Sequence, residues 1–537
     1  MNFFNSRRSP VISKNGSVAT SQPLAAQAGL RILMDGGNAV DAAIATAATL
    51  NVLEPMSTGI GGDMFALIWD PKKKQVSALN GSGRSGSGAN VDEILDSGYN
   101  SIPNDGDGGH FSVSVPGTVD GWQTALIRYG NMSFSEVLKP AINYAINGFG
   151  VSKLISESWK NNTNKLLYRP SGIELLPGGK APEHGEFVNL PELGRSFEII
   201  AEGGSEAFYK GEIGKKIVNF ISKEGGWITE YDMHNHRSDW DEPITTNYRG
   251  VDVWECPPNG QGIAALMSLN IVENFDISKF KSQSVERYHY LIESMKLGFS
   301  DALHYVADPR KSNVPINPLL SKSYAKKRMS QIDDYLSNNN ISYGDPLKPS
   351  DTVYLTVVDK NGMACSLINS LFSSFGSGLV VPTTGIALQN RGSLFSLDEN
   401  HLNYLLPQKR PYQTIIPAMA TKGSELWLSF GVMGGFQQPQ GHLQVISNMV
   451  DYNMDPQQAL DALRFNVDIT DTNDINLEEG LDINTINELI KRGHNINILS
   501  GSDRMTMGGG QIICRDPETG IISAGSEPRK DGAAVGW

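Results

Sequence analysis

The amino-acid sequence predicts a protein of mixed α/β (α+β) class, and three patterns carry this prediction. The run that follows Thr352 is β-branched and aromatic, which is typical of a buried strand. Residues 117–335 show helical spacing of apolar side chains along most of their length. Residues 38–53 are rich in alanine and apolar on nearly every side, which indicates a helix buried among its neighbours.

The N-terminal part is expected to supply a helix and two strands. Residues 23–34 carry helical spacing before Gly36 and Gly37, a typical helix stop. Residues 64–79 predict two paired strands around a lysine-rich turn, and Arg84 follows on a glycine-rich loop. An arginine in that place can hold a carboxylate through two parallel hydrogen bonds, although a solvated loop arginine is an alternative.

The stretch from Ser350 to Phe372 contains the candidate nucleophile. A strand is expected to begin at or beside Thr352, to turn at Asn361 and Gly362, and to return antiparallel over residues 363–371. The sequence therefore predicts a β-hairpin with Thr352 at its first strand end.

Thr352 has two interpretations, as a catalytic nucleophile and as a structural threonine. A threonine hydroxyl becomes an effective nucleophile when a base removes its proton, and a free α-amino group on the same residue can be that base. Cleavage between Asp351 and Thr352 would create this group. On the local pattern alone, an ordinary strand-starting threonine that caps a turn is the commoner explanation.

Composition limits the class of protein. The 537 residues allow two domains or one large layered domain, and a net charge of −13 opposes nonspecific nucleic-acid binding. The three cysteines, Cys256, Cys365 and Cys514, lack disulfide or metal spacing. No apolar run approaches a membrane span, and the N-terminus lacks the apolar core of an export signal. We therefore expect a cytoplasmic protein without nucleic-acid or membrane partners.

Three further stretches are expected to be structural. His234 and His236 have no third metal ligand at a suitable spacing. Residues 58–62 are rich in glycine but lack the lysine of a phosphate-binding loop, and residues 257–262 indicate a turn before a helix. No metal site and no organic cofactor are predicted.

Separate sequence blocks, in order along nearly the whole chain, resemble the γ-glutamyltransferase (glutathione hydrolase) family of N-terminal-nucleophile (Ntn) hydrolases. The blocks are residues 17–65, 115–122 (VPGTVDGW), 257–262 (PPNGQG), 351–362, 375–378, 388–396 (LQNRGSLFS), 409–419 (KRPYQTIIPAM), 431–435 (GVMGG) and 525–529. The resemblance implies a four-layer αββα sandwich without a cofactor. It also implies a precursor cut between Asp351 and Thr352 into residues 1–351 and 352–537, which pair as one αββα unit.

The resemblance further implies catalytic roles. Thr352 is expected to be the nucleophile, and Ser370 to orient its amine or hydroxyl. The backbone amides of Gly434 and Gly435 are expected to form the oxyanion hole, and Arg84 to bind a substrate carboxylate. A strand serine that faces solvent is the alternative for Ser370.

The sequence departs from the family where the acyl group of the substrate binds. The family aspartate that pairs with an α-amino group is replaced by Leu394, and an asparagine near the orienting hydroxyl by Phe372. Gln413 replaces the first of two serines, Thr414 keeps the second hydroxyl, and both are expected to bind substrate beside a further cation, Arg391. Because an unpaired ammonium is costly to bury, we expect a carboxylate-bearing acyl group without an α-amino group.

These observations predict a self-processing amidohydrolase that acts on a small, oxamate-like amide, close to the oxamate amidohydrolase and cephalosporin-acylase-like branch. One alternative is a true γ-glutamyltransferase in which another group replaces the missing aspartate. A second alternative is an unprocessed, non-catalytic binding protein. The expected partners are the small-molecule amide and the two processed chains themselves, and further homo-oligomerisation is left open.

Overall fold

The structure is a computed structural model that describes residues 8–339, 341, 351–469, 472 and 474–537, with the backbone alone at residues 351 and 352. The strands are β1 Val11–Ser13, β2 Gly16–Thr20, β3 Asp63–Asp70, β4 Gln75–Gly81, β5 Phe149–Gly150, β6 Phe187–Val188, β7 Asp239–Asp241, β8 Ile244–Tyr248, β9 Val251–Glu255, β10 Asp351–Asp359, β11 Ala364–Phe372, β12 Val380–Val381, β13 Ile386–Ala387, β14 Ala418–Lys422, β15 Glu425–Met433, β16 Phe465–Val467, β17 Ile475–Glu478, β18 Ile496–Leu499, β19 Gly509–Arg515, β20 Ile522–Ser526 and β21 Ala533–Gly536.

The α-helices separate and cover these strands. They are α1 Pro23–Met34, α2 Ala39–Leu53, α3 Val91–Asp96, α4 Thr118–Tyr129, α5 Phe134–Asn147, α6 Lys153–Asn161, α7 Thr163–Leu167, α8 Pro191–Tyr209, α9 Glu212–Glu224, α10 Glu230–Asn235, α11 Gly262–Val272, α12 Val285–Tyr305, α13 Ile316–Leu320, α14 Lys322–Met329, α15 Gln437–Asp451, α16 Pro456–Asp461 and α17 Ile483–Lys491.

Two seven-stranded sheets of described residues lie face to face. The first sheet has the order β21-β2-β10-β11-β3-β4-β7, and the second has the order β1-β20-β19-β15-β14-β9-β8. Helices α1, α2 and α4 pack on the first sheet, with α5 behind α2, while α11 and α15 pack on the second, with α12 behind α11. The layers therefore run α-β-β-α, which confirms the predicted four-layer sandwich.

The strand that begins at Asp351 lies inside the first sheet, between β2 and β11. Alternate side chains on this strand face different layers, as the two-residue period of a strand requires. Tyr354 and Val358 belong to the core shared by the two sheets, whereas Leu355 and Val357 belong to the core under the helices. Both faces of the strand are therefore buried.

Helix α2 explains the predicted alanine-rich stretch. The Asn38 side chain accepts hydrogen bonds from the backbone N–H groups of Val40 and Asp41, which begins the helix with a capping box. All residues of α2 are buried, and a Cβ on Gly29 of α1 would lie 2.1 Å from the hydroxyl of Thr46. Small side chains thus let α1 and α2 pack closely over the first sheet.

The hairpin prediction is confirmed, and one helical prediction is wrong in part. Strands β10 and β11 pair antiparallel across a turn in which Gly362 has a φ of 82°. Residues 117–335, expected to be largely helical, also contain β5 to β9 among their described residues. β8 and β9 are only five residues long, and buried positions alternate with less buried ones along them. A search for helical spacing over longer stretches does not detect strands this short.

Across the part of the chain that the structure describes, helices fall short of the length and apolar character needed to cross a membrane.

Candidate active site

The predicted cleavage site lies at the first residues of β10. Asp351 pairs with Phe372 and Val353 pairs with Asn369, so the register shifts between them and two residues, Ser370 and Leu371, lie opposite the backbone of Thr352. Such β-bulges occur often next to active sites. The Thr352 hydroxyl and the Asp351 side chain lie outside the described residues, and the nucleophile assignment stays a prediction.

Ser370 lies buried on β11 beside this strand end. It is 0% exposed, so the alternative of a solvent-facing strand serine is wrong. Its Oγ accepts a hydrogen bond of 2.9 Å from the backbone N–H of Phe372, and it pairs across the sheet with Asp63 on β3. A hydroxyl is thus held inside the protein, one strand from the Thr352 backbone.

Gly434 and Gly435 link β15 to α15. Their φ values of 127° and 58° are ones that side-chain-bearing residues rarely adopt, which explains why glycine occupies both positions. Their carbonyl oxygens accept hydrogen bonds from the backbone N–H groups of Gln437 and Gln438. Among the described residues, no acceptor is seen for the N–H groups of the two glycines, which leaves both able to donate; their role in an oxyanion hole stays a prediction.

Gln261 connects the glycine pair to the predicted acyl pocket. Its Nε2 donates to the carbonyl oxygens of Gly435, at 2.9 Å, and Thr414, at 2.7 Å. The predicted turn before a helix is confirmed, because α11 begins at Gly262, but the role of this side chain was missed. The available signal was a polar residue directly before a helix that is largely apolar on all sides.

Arg391 begins a short 3-10 helix, Arg391–Leu394, and is fully buried. Its Nη1 donates to the hydroxyl of Thr414 at 2.6 Å, and its guanidinium lies 4.6 Å from the ring centre of Phe372. Its Nε and Nη2 have no hydrogen-bond partner among the described residues. Burial lowers the pKa of Arg391 to about 9, and the carboxylate of Asp63 acts in the opposite direction.

Asp63 is a buried carboxylate that the sequence analysis did not single out. Its oxygens accept hydrogen bonds from the backbone N–H of Gly83 at 2.8 Å, from Gln389 at 2.8 Å and from Gln413 at 2.5 Å. Burial raises the pKa of Asp63, whereas Arg391 and these hydrogen bonds act to lower it. The available signal was an acidic residue at the start of an otherwise apolar strand.

The side of the pocket where the family keeps acidic and amide groups is apolar here. Leu394 and Phe372 are each 2% exposed and belong to one core cluster with Tyr412 and Phe436. The rings of Tyr412 and Phe436 lie 6.0 Å apart. Position 394 therefore offers contacts to hydrocarbon and no partner for an ammonium.

Arg84 follows β4, at the mouth of the strand as expected. Its Nη2 lies 3.0 Å from Asp239, and its side chain is 25% exposed. Asp239 also contacts Arg410 at 2.6 Å and Arg310 at 3.4 Å. Although burial opposes ionisation, these arginines, Arg410 above all, lower the pKa of Asp239. Arg84 therefore shares one carboxylate with two other cations, and its role in binding substrate stays a prediction.

Two groups of residues that contain histidine are candidate metal ligands. His236 is buried and stacks on Tyr209 with ring centres 5.4 Å apart, and burial keeps the pKa of His236 far below its usual range. Elsewhere, His289, Glu293 and His494 bring ligand atoms within 4.8 Å of one another. His289 Nδ1 and His494 Nε2 lie 2.9 Å apart and share a hydrogen bond.

Glu293, the third candidate ligand of that group, forms an ion pair with Lys296 at 2.9 Å. A metal ion would have to break these bonds and would face the charge of the lysine.

Comparison with known proteins places this arrangement in a family. The model of the family described as gamma-glutamyltranspeptidase matches residues 25–537. The glutathione hydrolase-like YwrD proenzyme of Bacillus subtilis (strain 168) is 40% identical over 530 residues, which cover 98% of this chain and 99% of that protein. The oxamate amidohydrolase proenzyme of Klebsiella pneumoniae is 30% identical over 535 residues, which cover 98% and 99%.

A solved structure agrees with both findings. The cephalosporin acylase from Bacillus halodurans has a TM-score of 0.92 and 43% identity, with 99% of this chain and 97% of that chain covered. Family model, relatives and solved structure all span nearly the whole sequence. The chain belongs to the gamma-glutamyltranspeptidase family of enzymes.

Proposed function

We propose that this protein is a self-processing amidohydrolase whose acyl pocket takes a carboxylate and has no place for an α-ammonium. The observation that carries the proposal is Arg391, a fully buried cation whose nitrogen atoms Nε and Nη2 lack a partner among the described residues. A charge buried in this way is stabilised when an anion binds to it.

The reaction would begin with processing. Cleavage between Asp351 and Thr352 frees the α-amino group of Thr352, which takes the proton of the hydroxyl as that oxygen attacks the amide carbon. The N–H groups of Gly434 and Gly435 stabilise the oxyanion. The C–N bond then breaks, the proton passes to the leaving amine, and water hydrolyses the resulting ester to release the acid.

The contacts of Arg391 support the carboxylate preference. Thr414 holds one end of the guanidinium at 2.6 Å, and the ring of Phe372 lies along it, so the group has a fixed orientation. The free Nε and Nη2 can donate two hydrogen bonds to one carboxylate. Arg84 and Gln413 would complete the recognition of the acyl group.

The surroundings of Leu394 support the exclusion of an α-ammonium. The side chain lies in an apolar cluster, so an ammonium there would lose water and gain no counter-charge from this position. Two similar proteins carry names that agree with amide hydrolysis of this kind, an oxamate amidohydrolase and a cephalosporin acylase.

The test uses purified, processed protein and matched chromogenic anilides. Glutaryl anilide and γ-glutamyl anilide differ only in the α-amino group, and oxamate is the third substrate. We expect the glutaryl compound to have a kcat/KM about tenfold or more above that of the glutamyl compound, since burying an uncompensated ammonium costs more than 1 kcal/mol by rough estimate. A preference for the glutamyl compound would refute the carboxylate-only pocket.

The second candidate is glutathione hydrolysis or transpeptidation. It is favoured by the name of the relative from Bacillus subtilis, which is glutathione hydrolase-like and 40% identical. In this case Asp63 would have to replace the missing aspartate. The same anilide pair separates the two candidates, and release of glutamate from glutathione would support the second.

A further inference from the structure

Several buried polar atoms around Asp63 lack hydrogen-bond partners in the described chain. They include the Oε1 atoms of Gln389 and Gln413 and the Nε and Nη2 atoms of Arg391. These three residues and Asp63 itself are each 0% exposed. Since buried polar atoms are usually paired, such a group indicates a place where a polar ligand binds.

Asp63 determines which end of each glutamine is left free. Both glutamines turn Nε2 toward its carboxyl oxygens, at 2.8 Å for Gln389 and 2.5 Å for Gln413, so Asp63 accepts a hydrogen bond from each. Their carbonyl oxygens therefore point away from Asp63. The orientation of these two amides follows from the carboxylate between them.

The two glutamines and Arg391 are grouped around Asp63. Both glutamines donate to its carboxyl oxygens, and Arg391 interacts with it electrostatically and donates to the hydroxyl of Thr414, the residue after Gln413. Burial lowers the pKa of Arg391, whereas the nearby Asp63 raises it and so favours the protonated guanidinium. The region thus offers donors from the arginine and acceptors from the glutamines.

We propose that Asp63 is a positioning residue that makes the pocket select an acyl group with a neutral hydrogen-bond donor, such as a hydroxyl, next to its carboxylate. This inference rests on the proposed function. The carboxylate would bind Arg391, and the hydroxyl would donate to a glutamine oxygen. A hydroxyl suits this place better than an ammonium, because the carboxylate of Asp63 is already covered by Gly83 and the two glutamines.

The test compares two anilides on processed wild-type protein. In 2-hydroxyglutaryl anilide the hydroxyl is on the carbon next to the free carboxylate, and glutaryl anilide lacks it. We expect the hydroxylated compound to have a kcat/KM about tenfold higher, the effect of one buried hydrogen bond. A ratio of one or less would overturn the inference.

Two variants test the positioning role. In Asp63→Asn the new amide offers one acceptor and one donor, so one glutamine must turn its nitrogen outward, one of the two acceptors is lost, and the ratio should fall. Gln413→Met removes the acceptor at nearly equal length and should lower the ratio in the same way. If both variants lower kcat/KM for the two anilides by an equal factor, Asp63 is only structural and the inference is wrong.

These outcomes are distinct from failure of the proposed function. Preference for γ-glutamyl anilide, or no hydrolysis of any anilide, would refute the carboxylate-only pocket. Hydrolysis of glutaryl anilide without a gain from the hydroxyl would leave the proposed function standing and refute the role of Asp63. If Asp63→Asn does not mature, the wild-type ratio and Gln413→Met still decide the question.

Discussion

The two sides of the candidate active site differ in how far they follow the family. The side expected to carry out the reaction keeps a threonine at the strand end, the buried Ser370 and the glycine pair. The side expected to bind the acyl group places Leu394 in an apolar cluster and leaves two nitrogen atoms of Arg391 without a partner in the described chain. Under the proposed function, the chemistry of the family is applied to a different acyl group.

The largest effect is expected from breaking the reaction side. Thr352→Ala should remain a single chain and lose amide hydrolysis by at least about 10⁴-fold, because it removes both the attacking oxygen and the cleavage reaction. Thr352→Ser is the matched control and should retain cleavage. Denaturing gels and anilide assays measure both effects, and a mature, active Thr352→Ala protein would contradict the assignment.

The next effect separates the two sides. Arg391→Met should raise KM for glutaryl anilide by about 10- to 100-fold, the range expected for a lost charged hydrogen bond. Hydrolysis of an uncharged acyl anilide should be almost unchanged, since Arg391 has no part in bond breaking. Arg391→Lys keeps the charge without the paired N–H groups and should lie between them. Equal loss on charged and uncharged substrates would contradict a binding role.

A smaller effect is expected at Ser370. Ser370→Ala should lower kcat by about tenfold, the value of one hydrogen bond to the nucleophile, and should slow cleavage of the precursor. KM for glutaryl anilide should stay the same, because the residue belongs to the reaction side. Ser370→Thr, which keeps the hydroxyl, is the control, and a change confined to KM would contradict the division.

An effect of similar size is expected when the family residue is restored at position 394. Leu394→Asp should shift the ratio of kcat/KM for γ-glutamyl over glutaryl anilide upward by about tenfold, because it supplies a counter-charge for the ammonium. Leu394→Asn has similar size without charge and should shift the ratio less. If both variants leave the ratio unchanged, the ammonium does not bind near position 394.

Much of the fold was predictable because strong local patterns determine it. The helix over residues 23–34 ends where the glycines indicate, and the hairpin around Gly362 has the expected pairing. The short strands β7 to β9 escaped prediction. β7 pairs with β4 and β9 pairs with β14, which are distant in sequence, so the place of these strands depends on those partners rather than on local propensity.

The sequence names candidates for the site where one residue type suffices for a role, and their roles stay predictions. Thr352, Ser370 and the glycine pair come from short motifs, and the hairpin register places the first two in neighbouring strands. The contributions of Asp63 and Gln261 were missed. Each acts through partners far away in sequence, such as the contact between Asp63 and Gln413, and such contacts exist only after the sheets have assembled.

The central claim is that Thr352 becomes a terminal nucleophile and carries the acyl group during turnover. Its most direct test is denaturing mass spectrometry of purified protein mixed briefly with glutaryl anilide. We predict two chains, residues 1–351 and 352–537, and a glutaryl adduct confined to the first residue of the second chain. An uncleaved, unmodified chain that still hydrolyses the anilide would contradict this account.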